Sequence, residues 1–564
     1  MNRTCTQCSA AFEITPQDLA FYDKVSPEFG GKKYAIPPPT MCPACRRQHR
    51  FTFRNEWSFY HRKCDLTQKQ IISIYPPDSS YTVYDQHVWW TDAYDPLAFG
   101  KDIDFQRPFF EQLNELHRVV PKSSIQNAKS ENCDYTNYSA ENKDCYLLVG
   151  GLGAEKTLYS YRVFYSTDVV DSFDLHQCEQ CYQCLESSKL YNAVECRRCH
   201  DCSDITLSAD CHGCRNCFGC VGLRNKEFHM FNEKLPEEEY RKRIKELSTT
   251  DPEYVRKIFT DLLLQTPHRF AHIVQSERCS GDQLLQCSNV HDSYTVKHSQ
   301  DMKYGSIAEH DKDCMDVNFT DNCELSCNCT NQEKNYHTGF SALLWYSKHC
   351  WYSLNCFHSN NLFGCSGMKG NSYCILNKQY TKEEYETLVP KIIEHMRKTP
   401  LRLPDGSSAG QEWGEFPPPS LSPFDYNESL AFEEFPMSKE DVLARSGKWR
   451  DEEEKKDQYL GPSYDVPKKI SDVADDITKS ILRCEITSKP YKIIPQELKF
   501  YREMQLPIPR KCPDQRHKER MALRNPRKLW NRQCAKCQKE IQTTYAPERP
   551  EIVYCEECYL ASVY

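Results

Sequence analysis

The sequence predicts a mainly β fold: two tandem β-solenoid (parallel β-helix-like) arrays of 18-residue period, flanked by duplicated Cys-rich modules and joined by helices. Three observations carry that expectation. Three Cys-x2-Cys-x2-Cys runs recur at a strict interval: Cys178/Cys181/Cys184, Cys196/Cys199/Cys202 and Cys214/Cys217/Cys220. The region around them returns 145 residues later, Phe218-Gly219-Cys220-x-Gly222 as Phe363-Gly364-Cys365-x-Gly367. The two ends of the chain also match each other.

The chain has 564 residues, 33 of them Cys, with 27% charged residues and a mean hydropathy of −0.74. No apolar run approaches the roughly 18 residues that span a bilayer. The amino terminus lacks the apolar core of a secretory signal. The expected setting is therefore cytoplasmic and away from membranes, where clustered Cys points to metal more than to disulfides.

In order along the chain, residues 1–90 form the first module. Phe12–Tyr22 matches Tyr491–Tyr501, Cys42-Pro43 matches Cys512-Pro513, Arg54-Asn55 matches Arg524-Asn525, and Cys64 matches Cys534. Each copy has room for two metal sites. Cys5-x2-Cys8 with Cys42-x2-Cys45 supplies four thiolates in two close pairs, the donor set of a tetrahedral structural Zn2+ site. The equivalent set in the last module, residues 481–564, is Cys484, Thr487, Cys512 and Gln515. The second site behaves in the opposite way. Cys534, Cys537, Cys555 and Cys558 are complete, whereas the first module offers Cys64, Thr67, Asp85 and Val88. About two Zn2+ per chain are expected.

The first ribbon, with Cys-x2-Cys, Phe-Tyr and then Cys-Pro-x-Cys-Arg, resembles the treble-clef zinc-ribbon family over residues 5 to 50. With two ligands missing, the resemblance extends to 484–520. It implies a knuckle and hairpin bearing one Cys pair, with the second pair opening a helix, and Pro43 suits a first helical turn. The whole chain resembles large Cys-rich bacterial zinc-ribbon proteins of uncharacterised activity.

Both implied helices are basic. Residues 46–63 carry a net charge of +5 and residues 510–532 a net of +7, with Phe51, Phe53, Trp57, Tyr60 and Trp530 nearby. Arg46, Arg47, Arg50, Arg54, Arg516, Lys518, Arg520, Arg524, Arg527 and Lys528 are thus candidates for binding RNA, a ribosome or another anionic partner. The alternative is a solvated face whose aromatics pack the small ribbon core.

A connector, 91–123, leads to the first array, 124–235, with a helix expected over Arg107–Val119 and Trp89-Trp90 packing there. A helical connector, 236–268, contains an expected helix at Pro236–Leu247. The second array covers 269–380. A capping helix follows over 381–400, where Thr381 and Glu384 make a capping-box pattern.

The array Cys admit two readings. Cys-x2-Cys-x2-Cys resembles the start of a bacterial ferredoxin run, although the Cys-Pro that continues it is missing; the nine Cys of the three runs (Cys178, Cys181, Cys184, Cys196, Cys199, Cys202, Cys214, Cys217 and Cys220) could then hold iron–sulfur clusters or further four-thiolate zinc sites. The other reading makes Cys a small buried hydrophobe. In the second array the 18-residue columns read Cys287, Gly305, Cys323, Ser341, Ser359 and Val290, Ala308, Ser326, Leu344, Leu362, and a ligand cannot become Leu row by row. One difficulty remains for a solenoid: three-residue spacing cannot face inward from a flat strand of period two, so corners must intervene.

Residues 401–480 are acidic and Pro-rich. Asp405–Asp476 holds 18 acidic and eight basic residues, and reads as a partly disordered spacer with a short helix near Ser438–Arg445. Folding back on the basic helices is the alternative. The sequence shows no Gly-x-Gly-x-x-Gly, phosphate loop, Gly-x-Ser-x-Gly or His-Glu-x-x-His motif. The expected function is a non-catalytic zinc-binding scaffold that engages an anionic partner. An iron–sulfur redox protein and a purely protein-binding solenoid are the alternatives.

Overall fold

The difficulty of the three-residue spacing resolves in the backbone. From Lys129 to Phe231 every third residue has a positive φ, and the same holds from Gln283 to Leu376. Each step is two extended residues followed by one left-handed corner. Left-handed φ is tolerated best by Gly, Asn and Asp, and Asn132, Asp144, Asp171, Asp204, Asn225, Asp316 and Asn328 are among the corner residues. The residue after each corner faces inward, which is where Cys178, Cys181 and Cys184 are buried beside Val163, Val169 and Leu175.

The chain is described by a computed structural model over residues 1–247, 250–402, 411–451 and 465–563. Among these residues the molecule is rich in strands and contains two large, mainly parallel sheets, one of ten strands and one of fifteen, each ending in an antiparallel pair. Parallel partners lie twelve residues apart, as in Tyr146↔Leu158, Cys181↔Ala193 and Leu344↔Cys356. This corrects the expected 18-residue coil: four three-residue steps bring the chain back beside itself. An 18-residue sequence repeat spans six steps, so successive Cys runs fall on different sides of the array. In the first array the strands Glu155–Phe164, Thr167–Val170, Glu179–Tyr182, Leu185–Val194 and Phe173–His176 close into a five-strand ring.

The second array starts with a register of eleven, Ile273↔Leu284. The missing residue is absorbed at Gly281, where φ is +140° and an added Cβ would lie 1.8 Å from the Ser293 carbonyl oxygen. Only glycine fits there.

The terminal modules repeat one another in backbone as in sequence. The hairpin Tyr60–Lys63/Gln70–Ser73 corresponds to Trp530–Gln533/Glu540–Thr543. Each module then adds a short parallel strand to the chain that enters an array: Val83–Tyr84 beside Lys122–Ser123, and Val553–Tyr554 beside His268–Arg269. Docking is crossed. Tyr22, Val25, Phe29 and Ile36 of the first module share a core with Met315, Phe340, Trp351 and Tyr352 of the second array. Leu482, Ile493, Leu498 and Tyr501 of the last module share one with Leu158, Tyr159, Val170 and Tyr182 of the first array.

The expected helices lie at Phe109–Val119, Glu237–Leu247 and Lys382–Lys398, the last with the Thr381/Glu384 capping box in place. A further helix, Pro252–Gln265, fills the rest of the helical connector. Residues 411–451 overturn the expectation of a solvated spacer. Trp413 is fully buried against Phe340, Trp351, Tyr352 and Phe363, and Phe416, Leu421, Phe424 and Leu430 are also buried. The short helix is present at Lys439–Ala444 with Ser438 as its N-cap. Residues 403–410 and 452–464, including the Glu452–Glu454 run, lie outside the described residues. Among the described residues no helix is long and apolar enough to cross a membrane.

Candidate metal centres

Two groups of four Cys come together, Cys5/Cys8/Cys42/Cys45 and Cys534/Cys537/Cys555/Cys558, with the four Sγ atoms of each within 4.8 Å of one another. Local structure dictates the grouping. Cys5 opens a turn in which the Ser9 N–H donates to the Cys5 carbonyl and the Cys5 N–H to the Ala10 carbonyl, with Ser9 left-handed. Cys42 is the N-cap of helix Pro43–Thr52, and Cys45 sits in its first turn. Cys534 opens the same turn, closed by Gln538 and Lys539, and Cys555 precedes helix Glu556–Val563.

The spacing fits a metal rather than disulfides. Cys8 and Cys42 Sγ are 3.7 Å apart and Cys537 and Cys555 Sγ 3.6 Å. Tetrahedral Zn–S bonds of about 2.3 Å set sulfurs about 3.8 Å apart, whereas a disulfide needs about 2.05 Å. One thiol in each set is prepared for ligation. The Cys45 thiol hydrogen-bonds to Cys42 and brings it down to about 5. At Cys534 burial acts upward, but backbone N–H groups of Cys537 and Cys555 outweigh it and hold the thiol at about 6. The four-thiolate sets suit a zinc ion, which would staple the turn to the helix in each module.

The degenerate sites keep the turn without the ligands. Cys64 N–H donates to the Lys69 carbonyl and Gln68 N–H to the Cys64 carbonyl. The Cys64 sulfur accepts from the backbone N–H groups of Thr67 and Asp85. Asp85, in the place of a ligand, caps helix Gln86–Trp89 by accepting from the His87 N–H. In the last module Cys484 is held at about 7, where burial raises it but Thr487 and backbone donors prevail, and Cys512 Sγ lies 3.7 Å from Thr487 Oγ1.

The interior Cys of the first array form a continuous chain of contacts. It runs from Cys178 through Cys181, Cys184, Cys196, Cys199 and Cys211 to Cys214, which touches Cys202 and Cys217, and on to Cys220. Among the described residues no three of these thiols lie within 4.8 Å of one another. Their S–H groups point to backbone carbonyls two residues back, Cys184 to Tyr182 and Cys196 to Val194. Ser hydroxyls at neighbouring inward positions do the same, Ser172 to Val170 and Ser187 to Leu185. A thiol thus does a hydroxyl's hydrogen bonding in a small, dry space, which explains why Cys and Ser interchange along the interior.

The predicted basic surface needs correction. Arg46, Arg50, Arg54, Arg516 and Arg520 are buried, at 0–4% exposed. Arg47, Arg524 and Arg527 are mostly covered, and only Lys518 and Lys528 of the ten candidates are exposed. The arginines dock the modules onto the arrays. Arg46 and Arg50 meet Asp316 at 2.8 and 3.4 Å, while Arg516 and Arg520 meet Asp171 at 2.6 and 2.8 Å. The two aspartates are 145 residues apart, and the guanidinium groups of Arg46 and Arg516 lie over Tyr304 and Tyr159, again 145 apart. The same clamp is built twice, on opposite arrays. Arg54 pairs with Glu56, Arg524 lies 3.5 Å from Glu186, and Glu434 sits against both Arg47 and Arg527. Charge could not reveal the two clamps, because Asp316 and Asp171 lie hundreds of residues from their arginines. An aspartate at matching places in the two arrays was the available signal.

Comparison with family models, with characterised proteins and with solved structures produces no match. The chemistry of the sites therefore carries the functional reading. The helix that follows each four-cysteine set contacts array chain directly. Beyond Cys45 come the Asp316 contacts of Arg46 and Arg50. Beyond Cys555, Glu556 receives two hydrogen bonds from Arg269, and the Tyr559 hydroxyl accepts one from Arg224.

Proposed function

We propose that this protein is a non-catalytic scaffold, in which two zinc ribbons of treble-clef type clamp two β-solenoid arrays of twelve-residue coil into one body. One observation carries the reading: each four-cysteine set lies at the foot of a helix whose polar side chains reach across to an array. Zinc acts in this reading as a structural staple, its four thiolates closing a site with no open position for substrate. A reducing cytoplasm suits a chain in which no disulfide joins any of the 33 Cys.

The partner is taken to be a protein that docks on the outer faces of the arrays. The burial of the arginines favours this over RNA or ribosome binding through the module helices. The iron–sulfur reading is disfavoured by the interior thiols, which run in a line and are occupied with backbone carbonyls. Anaerobic purification with metal analysis and a visible spectrum tests the proposal. Two zinc ions per chain and no absorbance near 400 nm are expected; iron with that absorbance would replace the scaffold with a redox protein. Salt-sensitive RNA binding that is lost on charge reversal at Lys518 and Lys528 would restore the nucleic-acid reading.

A further inference from the structure

The outer face of the second array carries a group that the thiolate sites do not explain. His298, Glu309 and His310 place one ligand atom each within 4.8 Å of the others. His298 and His310 are corner residues with φ of 52° and 54°. They stand twelve residues apart on adjacent coils, so backbone pairing sets their separation: the His298 N–H donates to the Leu285 carbonyl and the His310 N–H to the Lys297 carbonyl. Their rings lie 5.0 Å apart and nearly parallel, at 12°. Both are exposed to solvent, and Glu309 is partly exposed beside them.

We infer that His298, Glu309 and His310 form a third metal site, one that takes a borderline divalent ion such as Zn2+, Ni2+ or Co2+. The donor set is two imidazoles and a carboxylate, which suits these ions and leaves coordination positions for water. Further features support it. Asp321, the register partner of Glu309 one coil on, lies 3.3 Å from His310 Nδ1, where a carboxylate orients a ligating imidazole. A neighbouring cation is also engaged elsewhere: Lys297, register partner of Glu309 on the other side, directs its Nζ to His176 Nε2 of the first array at 2.7 Å. Stacked rings do not yet converge on one point, so binding requires rotation of exposed side chains, with the backbone held by the sheet. Unlike the thiolate sites, this one is open and exchangeable.

The test uses the full chain with both thiolate sites loaded with zinc, dialysed against Ni2+. One additional ion per chain is expected, with the two zinc ions retained. His298→Ala and His310→Ala should each weaken Ni2+ binding about tenfold or more, and the double variant should abolish it. Glu309→Gln should weaken it by a smaller factor. All three residues are at the surface, and unchanged thermal unfolding of the zinc-loaded variants without Ni2+ confirms that the fold is kept. Wild-type protein that takes up no third ion, or a double variant that binds Ni2+ as wild type does, overturns the site.

Discussion

At the amino end, Cys5, Cys8, Cys42 and Cys45 come together while the next site down the chain retains Cys64 alone. At the carboxyl end, Cys534, Cys537, Cys555 and Cys558 come together while the preceding site retains only Cys484 and Cys512. The backbone is nevertheless shared. All four turns keep the left-handed residue four positions after the leading Cys, at Ser9, Gln68, Ser488 and Gln538, and both arginine pairs reach an aspartate of the opposite array. The comparison teaches that metal and packing are interchangeable supports for this module. Where thiolates were lost, backbone N–H groups, a cap or a hydroxyl took their place.

Removing the metal breaks the comparison most strongly. Structural zinc contributes on the order of 10–16 kcal/mol in isolated fingers, comparable to the whole stability of a domain. Chelation, or Cys5→Ser with Cys8→Ser, should open residues 1–45 to hydrogen exchange. Residues 60–88, the ligand-poor site of the same module, should stay protected. Equal loss in both stretches would show that the degenerate site depends on its neighbour's zinc.

The clamps come next. Asp316→Ala strands two buried arginines, at a cost of about 3–5 kcal/mol. Asp171→Ala should cost less, because Glu497 remains 3.2 Å from Arg516. Arg46 and Arg50 have hydrogen bonds to the Met41 carbonyl, Asn318 and Asn328, and among the described residues Asp316 is the one carboxylate paired with them. Urea unfolding of the two variants should rank Asp316→Ala as the more damaging. The reverse order would mean that Glu497 is not the compensating group.

Alkaline pH should loosen the carboxyl-terminal side alone. His272 lies between Asp282 and Asp210, at 3.1 and 3.5 Å, and Asp282 accepts from Thr544 of the last module. Burial alone would depress the imidazole, but Asp282 and the hydrogen bond to Asp210 outweigh it and raise it to about 9. A raised His stabilises fully below its unfolded value of about 6.5 and loses that contribution as pH rises through about 9. Asp282, depressed to about 2 as His272 overcomes burial, contributes fully above its unfolded value of about 3.9 and loses that contribution as pH falls through about 2. Stability should therefore decline between pH 7 and 10 by about 2–3 kcal/mol, and His272→Gln should flatten that slope.

How legible this was depends on the range of the cause. The four-cysteine sets were readable because a Cys-x2-Cys turn is local. The duplication was readable because it is a property of sequence. The coil was misjudged because Cys is conspicuous and corners are not: the recurring Asp, Asn, Gln and Gly at every third place, such as Asp168, Asp171 and Asp174, mark the three-residue step that the 18-residue Cys interval hides. The basic helices were misplaced because composition cannot distinguish a solvated arginine from one paired with an aspartate 270 or 345 residues away. For the same reason the acidic stretch read as a spacer, although Trp413, Phe416 and Leu430 anchor it in the core.

The smallest effect bears on the comparison most directly. Asp85 stands where the carboxyl-terminal module has Cys555, and each begins a helix: Gln86–Trp89 after the aspartate, Glu556–Val563 after the cysteine. Asp85 performs the organising role with a carboxylate on the His87 N–H, 2.9 Å away. Its own N–H donates to the buried Cys64 sulfur at 3.3 Å. Asp85→Ala removes only the side-chain bond, so it should cost about 1 kcal/mol, and Asp85→Asn still less. Cys555→Ala removes one of the four thiols of the proposed zinc site and should open the carboxyl-terminal helix altogether. Thermal unfolding of both variants, with and without zinc, measures the ratio. A large loss at Asp85 that zinc does not relieve would show that the cap is the sole support of its site, and that backbone donors to Cys64 contribute nothing once the first turn of the helix is released.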